Sequence, residues 1–398
     1  MSTLRVLLFS HEYPPFLFGG VGTFVKDLAY GLANKGVDVS VLTGIPTPVK
    51  QSYNLPINQD KITTIRLPYP NLVPRHITFQ MINNRRLKQI LKEIKPDVIH
   101  GQSGSCFPAV VSMKKCAPVI ITYHTSPCMF KSLSIDSVAD GGSFGDFFSG
   151  VVGYPVYESS YRLEYRNSTS RVAVSKSLMM QLRGEMNVNG GSFDYIRNGV
   201  DLSSLDELCE NSCSETPITK KPFLLFGGRL FWSKGVLRLL DLAYLLEKKY
   251  RLDLQIVIYG SGPMYKRILQ RKNEYGLNNV ILRQFSSRSE FLSAMKDAMC
   301  VLIPSPFEAA PMVLLESMCM GKIAFMFNLP YAREFTENGK YGVLCTDVAD
   351  MALKVKELFF GTISTSSLEH QIRSFARKKY NIENTATAYY KQYKKMTI

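Results

Sequence analysis

Apolar residues along this chain occur in short continuous runs, separated by longer stretches in which they recur every three or four positions. The runs "RVLLFS", "VDVSVLT", "KITTIRLP", "DVIHGQ", "VIITYHT" and "RVAVS" are rich in β-branched and aliphatic side chains and read as strands covered on both faces. Between the first two, "TFVKDLAYGLANKG" puts Phe24 or Val25, Leu28, Ala29, Leu32 and Ala33 on one helical face and stops at Gly36. That is a βαβ unit. After "IRNGVD" at 196–201, a polar stretch up to Pro222 reads as the connection between two domains. The alternation then restarts with "FLLFGGRL", "LQIVIYGSG", "VILRQF", "CVLIPS", "KIAFMFN" and "YGVLC" as strands, each of the first five followed by a helical pattern or a turn. Repeated βα order predicts an α/β chain of two doubly wound, Rossmann-like parallel sheets facing across a cleft, with ligands at the carboxyl ends of the strands.

Composition narrows the class without changing that picture. At 398 residues the chain is too long for one ordinary core, and 45% hydrophobic with 20% charged residues is typical of a folded globular protein. No apolar run approaches the ~20 residues that span a bilayer, so the chain is expected in the cytoplasm. The eight cysteines form no CxxC pair and no metal-ligand spacing, and no Asp-x-Asp ends a strand; neither a metal nor another cofactor is expected.

Lys plus Arg exceed Asp plus Glu, 48 against 33, which favours an anionic partner. The basic residues do not alternate with aromatics in a nucleic-acid module, so nucleic acid is not expected. In "NNRRLKQILKEIKP", Leu87, Ile90, Leu91 and Ile94 form an apolar stripe while Arg85, Lys88, Lys92 and Lys95 recur on another face. A second basic set, including Arg373, Arg377, Lys378, Lys379, Lys391, Lys394 and Lys395, lies near the C-terminus. Solvated helix faces explain either set alone; together they suit peripheral contact with an anionic membrane surface.

The chemistry concentrates in a few stretches. In "FGGVG", Gly19 and Gly20 open the first helix and let backbone amides approach a phosphate; "HEYPPFLF" between strand and glycines departs from a dinucleotide fingerprint. "GGRLFWSKG" puts Arg229 and Lys234 just past a strand, where a guanidinium fork and an ammonium suit a diphosphate. The apolar segment "SPFEAAPMVLLES" carries Glu308 and Glu316, although desolvating an unpaired carboxylate costs several kcal/mol. With Pro311 in the first turn, the amides of Met312 and Val313 can face a phosphate between the two carboxylates. Hydroxyls at both ends of a ligand and phosphate in its middle describe a nucleotide sugar. The stretch at 141–161, rich in glycine and aromatics, suits a mobile acceptor loop, a shallow membrane contact, or an ordinary loop and helix.

In this order, "EYPPFLFGGVGTFVKDLAYGLANKGVDVSVLT", "YHTS", "VAVS", "NGVD", "GGRLFWSKG", "IYGSGP" and "FEAAPMVLLESMCMGK" resemble a family-four retaining glycosyltransferase of the GT-B fold along nearly the whole chain. The resemblance implies domains at 1–197 and 198–381, with a final helix over 382–398 crossing back to the first. It implies a nucleotide-sugar donor and a glycan or lipid-linked acceptor. Glu308 would hold hydroxyls of the donor sugar and Glu316 the ribose. Arg229 and Lys234 would neutralise the departing diphosphate, and the Gly19–Gly20 loop would close over it. His124 in "TYHTS" would match the active-site histidine, and Gly260 in "IYGSGP" would lie in the donor site. Ala309 and Ala310 replace a common glycine and aromatic, "GKIAF" replaces Gly-x-Pro-Val, and Arg197 stands at a frequent proline position. These departures leave the charged groups intact and the donor sugar open. Two other activities remain on the same architecture: a sugar-nucleotide epimerase, which needs no acceptor, and a phosphorylase, which needs phosphate or a pyridoxal lysine. A catalytically silent nucleotide-sugar-binding partner is the reading from a different class.

Overall fold

The computed structural model of the chain describes residues 3–17, 19–47, 58–59, 62–71, 75–106, 109–129, 144–187, 193–211, 218–284, 287–362 and 365–397. Two compact units result, one of residues 1–132, 148–199 and 382–398 and the other of 133–147 and 200–381.

The first unit is built on β1 (Arg5–Phe9), β2 (Asp38–Thr47), β3 (Asn58–Gln59), β4 (Ile62–Pro70), β5 (Val98–Gln102), β6 (Val119–Tyr123), β7 (Ser170–Ala173) and β8 (Asp194–Tyr195). Their spatial order is β3-β4-β2-β1-β5-β6-β7-β8, with β3 antiparallel to its neighbour and the rest parallel. Each of the six apolar runs in this half supplies one of these strands. The two-residue strands β3 and β8 carry no apolar run and left no periodic signal.

The second unit contains β9 (Phe223–Gly227), β10 (Gln255–Tyr259), β11 (Val280–Arg283), β12 (Cys300–Ile303), β13 (Ala324–Phe327) and β14 (Val343–Cys345), all parallel, in the order β11-β10-β9-β12-β13-β14. Its inner strands β9, β10, β12 and β13 are buried on both faces, which is why they read as continuous apolar runs rather than alternating ones. The helix Val236–Tyr244 covers one face with Val236, Leu239, Leu240 and Ala243 fully buried.

Two stretches differ from their sequence reading. The polar stretch after "IRNGVD" is not a plain connection, because Leu202–Asn211 is helical. Asp201 accepts the amide hydrogen of Ser204 at 3.1 Å, Leu205 is buried in the core, and Asp206 accepts from Arg377 at 2.9 Å. A capping aspartate and a tertiary ion pair there outweigh the polar composition. The stretch at 141–161 mostly belongs to a helix, Phe144–Asn167, with Pro155 inside it, so the mobile-loop reading fails for the part described. Residues 141–143 lie outside the described residues.

The last helix, Ile382–Thr397, packs on the first unit. Gly31 permits the approach, since a Cβ there would lie 3.0 Å from that of Ala386. Tyr389 and Tyr393 enter the core and bring their hydroxyls with them. Tyr393 Oη lies 2.6 Å from His100 Nδ1, His100 Nε2 lies 2.7 Å from Thr122 Oγ1, and Thr122 Oγ1 lies 2.7 Å from Tyr389 Oη. The side-chain polar atoms of His100, Thr122, Tyr389 and Tyr393 thus partner one another, which anchors the helix to β5 and β6.

Burial pulls the His100 imidazole down to about 3, with a further push from His124. An unfolded histidine takes its proton near 6.5, so between about 6.5 and 3 the unfolded chain holds one proton more than the folded one. Stability therefore falls as pH drops through that window, by up to about 1.4 kcal/mol per pH unit from this group. Urea unfolding of His100→Gln between pH 6 and 4 is expected to show a shallower loss by that amount. An unchanged slope would mean that His100 is not held neutral.

Candidate active site

In the second unit the sheet reverses its winding between β9 and β12, which pair side by side. In doubly wound sheets the loops leaving the strands at such a point diverge and leave room for a ligand. The turn after β9 ends at Gly235, whose φ of +67° suits glycine, and a Cβ there would meet Pro304 O at 2.1 Å. This backbone contact draws Lys234 against the loop after β12. Lys234 Nζ lies 2.5 Å from Glu308 Oε1, and Ser305 Oγ donates to the same oxygen at 2.9 Å. The carboxylate is largely covered, at 12% side-chain exposure, and the ammonium remains reachable at 35%.

Arg229 stands exposed in the same turn with its guanidinium 5.4 Å from the centre of the Phe231 ring. Gly260 follows β10 and spaces the two turns: its amide donates to Arg283 O at 3.0 Å, and a Cβ would strike Gly228 O at 2.0 Å. Any side chain at Gly260 would push the Arg229 turn away.

Pro311 is the N-cap residue of the helix Met312–Cys319 rather than its first helical residue. The ladder of that helix begins with Leu314, which donates to Pro311 O at 3.0 Å, so the amides of Met312 and Val313 precede any helical partner. Glu316 sits one turn in, with its side chain 6% exposed, and Arg288 Nη2 bonds its Oε1 at 2.6 Å. A charge this deep needs such a partner. Arg288 opens the helix Arg288–Asp297, whose Ser287 caps it by accepting from Glu290 N–H. Tyr331 is buried close enough to Glu308 for burial and that charge to raise its phenol well above the ordinary value.

In the first unit the loop after β1 leads to the helix Gly20–Ala33, with Gly19 as its N-cap. Gly19 N–H donates to Glu12 Oε2 at 2.8 Å, and Glu12 is 4% exposed. The amide expected to meet phosphate thus serves a buried carboxylate in this structure. His124 follows β6. Its Nε2 lies 2.7 Å from Gln102 Oε1, its backbone amide donates to Ser103 Oγ at 3.3 Å, and Phe24 meets its ring edge-on at 5.0 Å. Burial pulls this imidazole down to about 3 as well, so it is neutral at ordinary pH.

The structure therefore joins Lys234 to Glu308, holds Glu316 with Arg288, and sets His124 beside Gln102. Arg288, Ser305, Glu12 and Gln102 carry no motif that marks them in the sequence. The signal for such partners is arithmetical: two carboxylates in an apolar segment require cations or several hydrogen-bond donors. Among the described residues no group of three His, Cys, Asp or Glu side chains could hold a metal ion, and no helix is long and apolar enough to cross a membrane.

The family profile described as "Glycosyl transferases group 1" matches residues 210–379, and that described as "Glycosyltransferase Family 4" matches residues 18–204. A glycogen synthase of Mycobacterium tuberculosis is 23% identical over 406 aligned positions, covering 97% of this chain and 93% of its own. An uncharacterised glycosyltransferase of Methanocaldococcus jannaschii is 27% identical over 335, covering 80% and 79%. Among solved structures, sucrose-phosphate synthase from Thermosynechococcus elongatus superposes with a TM-score of 0.78 at 18% identity, covering 98% of both chains. HepE of Anabaena, solved with UDP and glucose, gives 0.73 at 15% identity, covering 98% of this chain and 100% of its own. At those identities the likeness of structure establishes the fold, which is GT-B.

Proposed function

Because the chain belongs to the glycosyltransferases of the group 1, family-four type, we propose that it moves a sugar from a nucleotide-diphosphate donor to a glycan or lipid-linked acceptor with retention of anomeric configuration. The observation that carries the reading is the Lys234–Glu308 pair, a cation and a carboxylate bonded at 2.5 Å between the two strands where the sheet reverses. A diphosphate needs the cation, and a sugar next to it needs an acceptor for its hydroxyls. HepE, a structural neighbour, has also been solved with UDP-glucose.

In this reading Arg229 and Lys234 face the diphosphate, with the amides of Met312 and Val313 completing the cradle. As the glycosidic bond breaks, negative charge grows on the departing phosphate oxygen, and preorganised cations lower that barrier without a metal. Glu308 accepts from hydroxyls of the donor sugar. Glu316, oriented by Arg288, accepts from the ribose through the carboxylate oxygen that Arg288 does not take. A phosphate oxygen on the leaving side receives the proton of the acceptor hydroxyl, so attack and departure share one face and configuration is retained. In the first unit, Gly19 and Gly20 offer their amides to a phosphate once Glu12 gives up the Gly19 amide, and the neutral His124 offers its ring to a sugar. The exposed face of the helix Arg75–Ile94, with Arg85, Lys88 and Lys92, brings a cytoplasmic enzyme to an anionic membrane surface.

Two measurements test these statements. Release of nucleoside diphosphate from a panel of UDP-, GDP- and ADP-sugars is expected with one base family, and Lys234→Ala or Arg229→Ala should lower kcat by about 10²–10³-fold, as for loss of one oxyanion donor. A change below about threefold would remove those residues from the transition state. At low salt, vesicles containing anionic lipid should sediment the protein, and reversing the charge of Arg85, Lys88 and Lys92 should weaken this. Equal sedimentation of that variant would reject the basic face as the contact.

A further inference from the structure

Two rungs of polar side chains lie one above the other on the same face of β5 and β6. Paired residues Gln102 and Thr122 fix the register, and side chains two apart on a strand share a face. His100 and Thr122 form the lower rung, closed by Tyr393 and Tyr389. Gln102 and His124 form the upper one. Gln102 is 0% exposed, which is unusual for an amide side chain, and its Oε1 makes the 2.7 Å contact with His124 Nε2. Its Nε2 is buried with no hydrogen-bond partner.

A buried glutamine that leaves its own amide hydrogens unpaired and spends its carbonyl on a neighbouring ring is held there by that ring. We propose that Gln102 is the positioning residue of His124: by accepting from Nε2–H it fixes the imidazole in the Nε2-protonated tautomer and leaves Nδ1 as the ring's acceptor. The inference rests on reading His124 as a site residue, and it assigns that ring the task of accepting from a ligand hydroxyl rather than donating to a ligand oxygen.

The opposite amide orientation is the competing arrangement. It would turn the Gln102 nitrogen toward Nε2 and move the ring hydrogen to Nδ1. One amide hydrogen, Oε1 and the new Nδ1–H would then all be unpaired, since no described residue bonds Nδ1. In the orientation observed, both amide hydrogens of Gln102 and a lone pair on Nδ1 are unpaired, so the two arrangements leave equal numbers of donors and acceptors without partners and differ in which ring nitrogen carries the hydrogen. The 2.7 Å contact of Oε1 with Nε2 is the one that puts it on Nε2. The neutral state that burial imposes on the ring is what makes the choice of tautomer matter, because a doubly protonated ring would have none to choose.

Selective ¹⁵N labelling of the five histidines, with the His124 signals identified by their loss in His124→Gln, reads the tautomer in the folded protein at neutral pH. The expected result is a protonated Nε2 and an unprotonated Nδ1. In Gln102→Met, which keeps the length of the side chain and removes its acceptor, the Nε2-protonated signature should be lost or averaged with the other tautomer. Gln102→Glu keeps an acceptor in place and should retain a protonated Nε2. A wild-type ring protonated on Nδ1 alone would overturn the proposal without any variant having to fold. Retention of the Nε2 signature in a folded Gln102→Met protein would overturn it too. In kinetics, Gln102→Met should lower kcat roughly tenfold while the donor KM stays within about twofold, as when an outer-shell partner of a functional imidazole is removed. A change confined to KM would contradict a positioning role. The spectra report on the ring whether or not sugar is transferred, so a failed tautomer assignment and a failed glycosyltransferase reading are separate results.

Discussion

A carboxylate taken out of water must be met by a cation or by several hydrogen-bond donors, and this requirement organises both units of the chain. Glu308 is met by Lys234 and Ser305, and Glu316 by Arg288. In the first unit Glu12 takes the amide of Gly19, and the fully buried Glu164 takes the amides of Gly104 and Cys106, each at 3.0 Å. The loops that leave β1, β5, β9 and β12 are all held at strand carboxyl ends by such contacts. Loops pinned in this way present their remaining polar groups at defined places, which a binding site needs and a merely flexible loop does not supply.

Close backbone contact does the rest. Gly235 against Pro304 and Gly260 against Gly228 bring three turns of the second unit within reach of one another, and no larger residue fits at either glycine. The final helix acts on the first unit in a comparable way. Its two tyrosines complete a buried hydrogen-bond chain through His100 and Thr122, directly below Gln102 and His124. That hydrogen-bond chain joins residues more than 250 positions apart along the sequence.

Much of the fold was legible because parallel strands covered on both faces must be apolar throughout, and the chain displays those runs in order. Glu308 and Glu316 were legible for the opposite reason, as charges where apolar residues were expected. Their partners were not. Arg288 lies 28 positions from Glu316 and Lys234 lies 74 from Glu308, and nothing local distinguishes a cation that will meet a carboxylate from one that will face water. Gln102 and His100 read simply as parts of a strand; only the register of β5 with β6 brings them to Thr122 and His124. The helix Leu202–Asn211 is hidden by a composition that is that of a linker, while Asp201 and Arg377 supply what the composition lacks.

The account divides the donor between two kinds of group, cations for the diphosphate and Glu308 for the sugar. Titration calorimetry with a nucleotide sugar and with the matching bare nucleoside diphosphate, on wild type and Glu308→Gln, tests that division directly. Glu308→Gln should weaken the nucleotide sugar about tenfold or more, the loss expected when a charged hydrogen bond of roughly 1.5–3 kcal/mol is removed, and should leave the bare diphosphate unchanged or bound more tightly as Lys234 is freed. Equal weakening of both ligands, or of neither, would contradict the assignment of Glu308 to the sugar and of Lys234 to the phosphates.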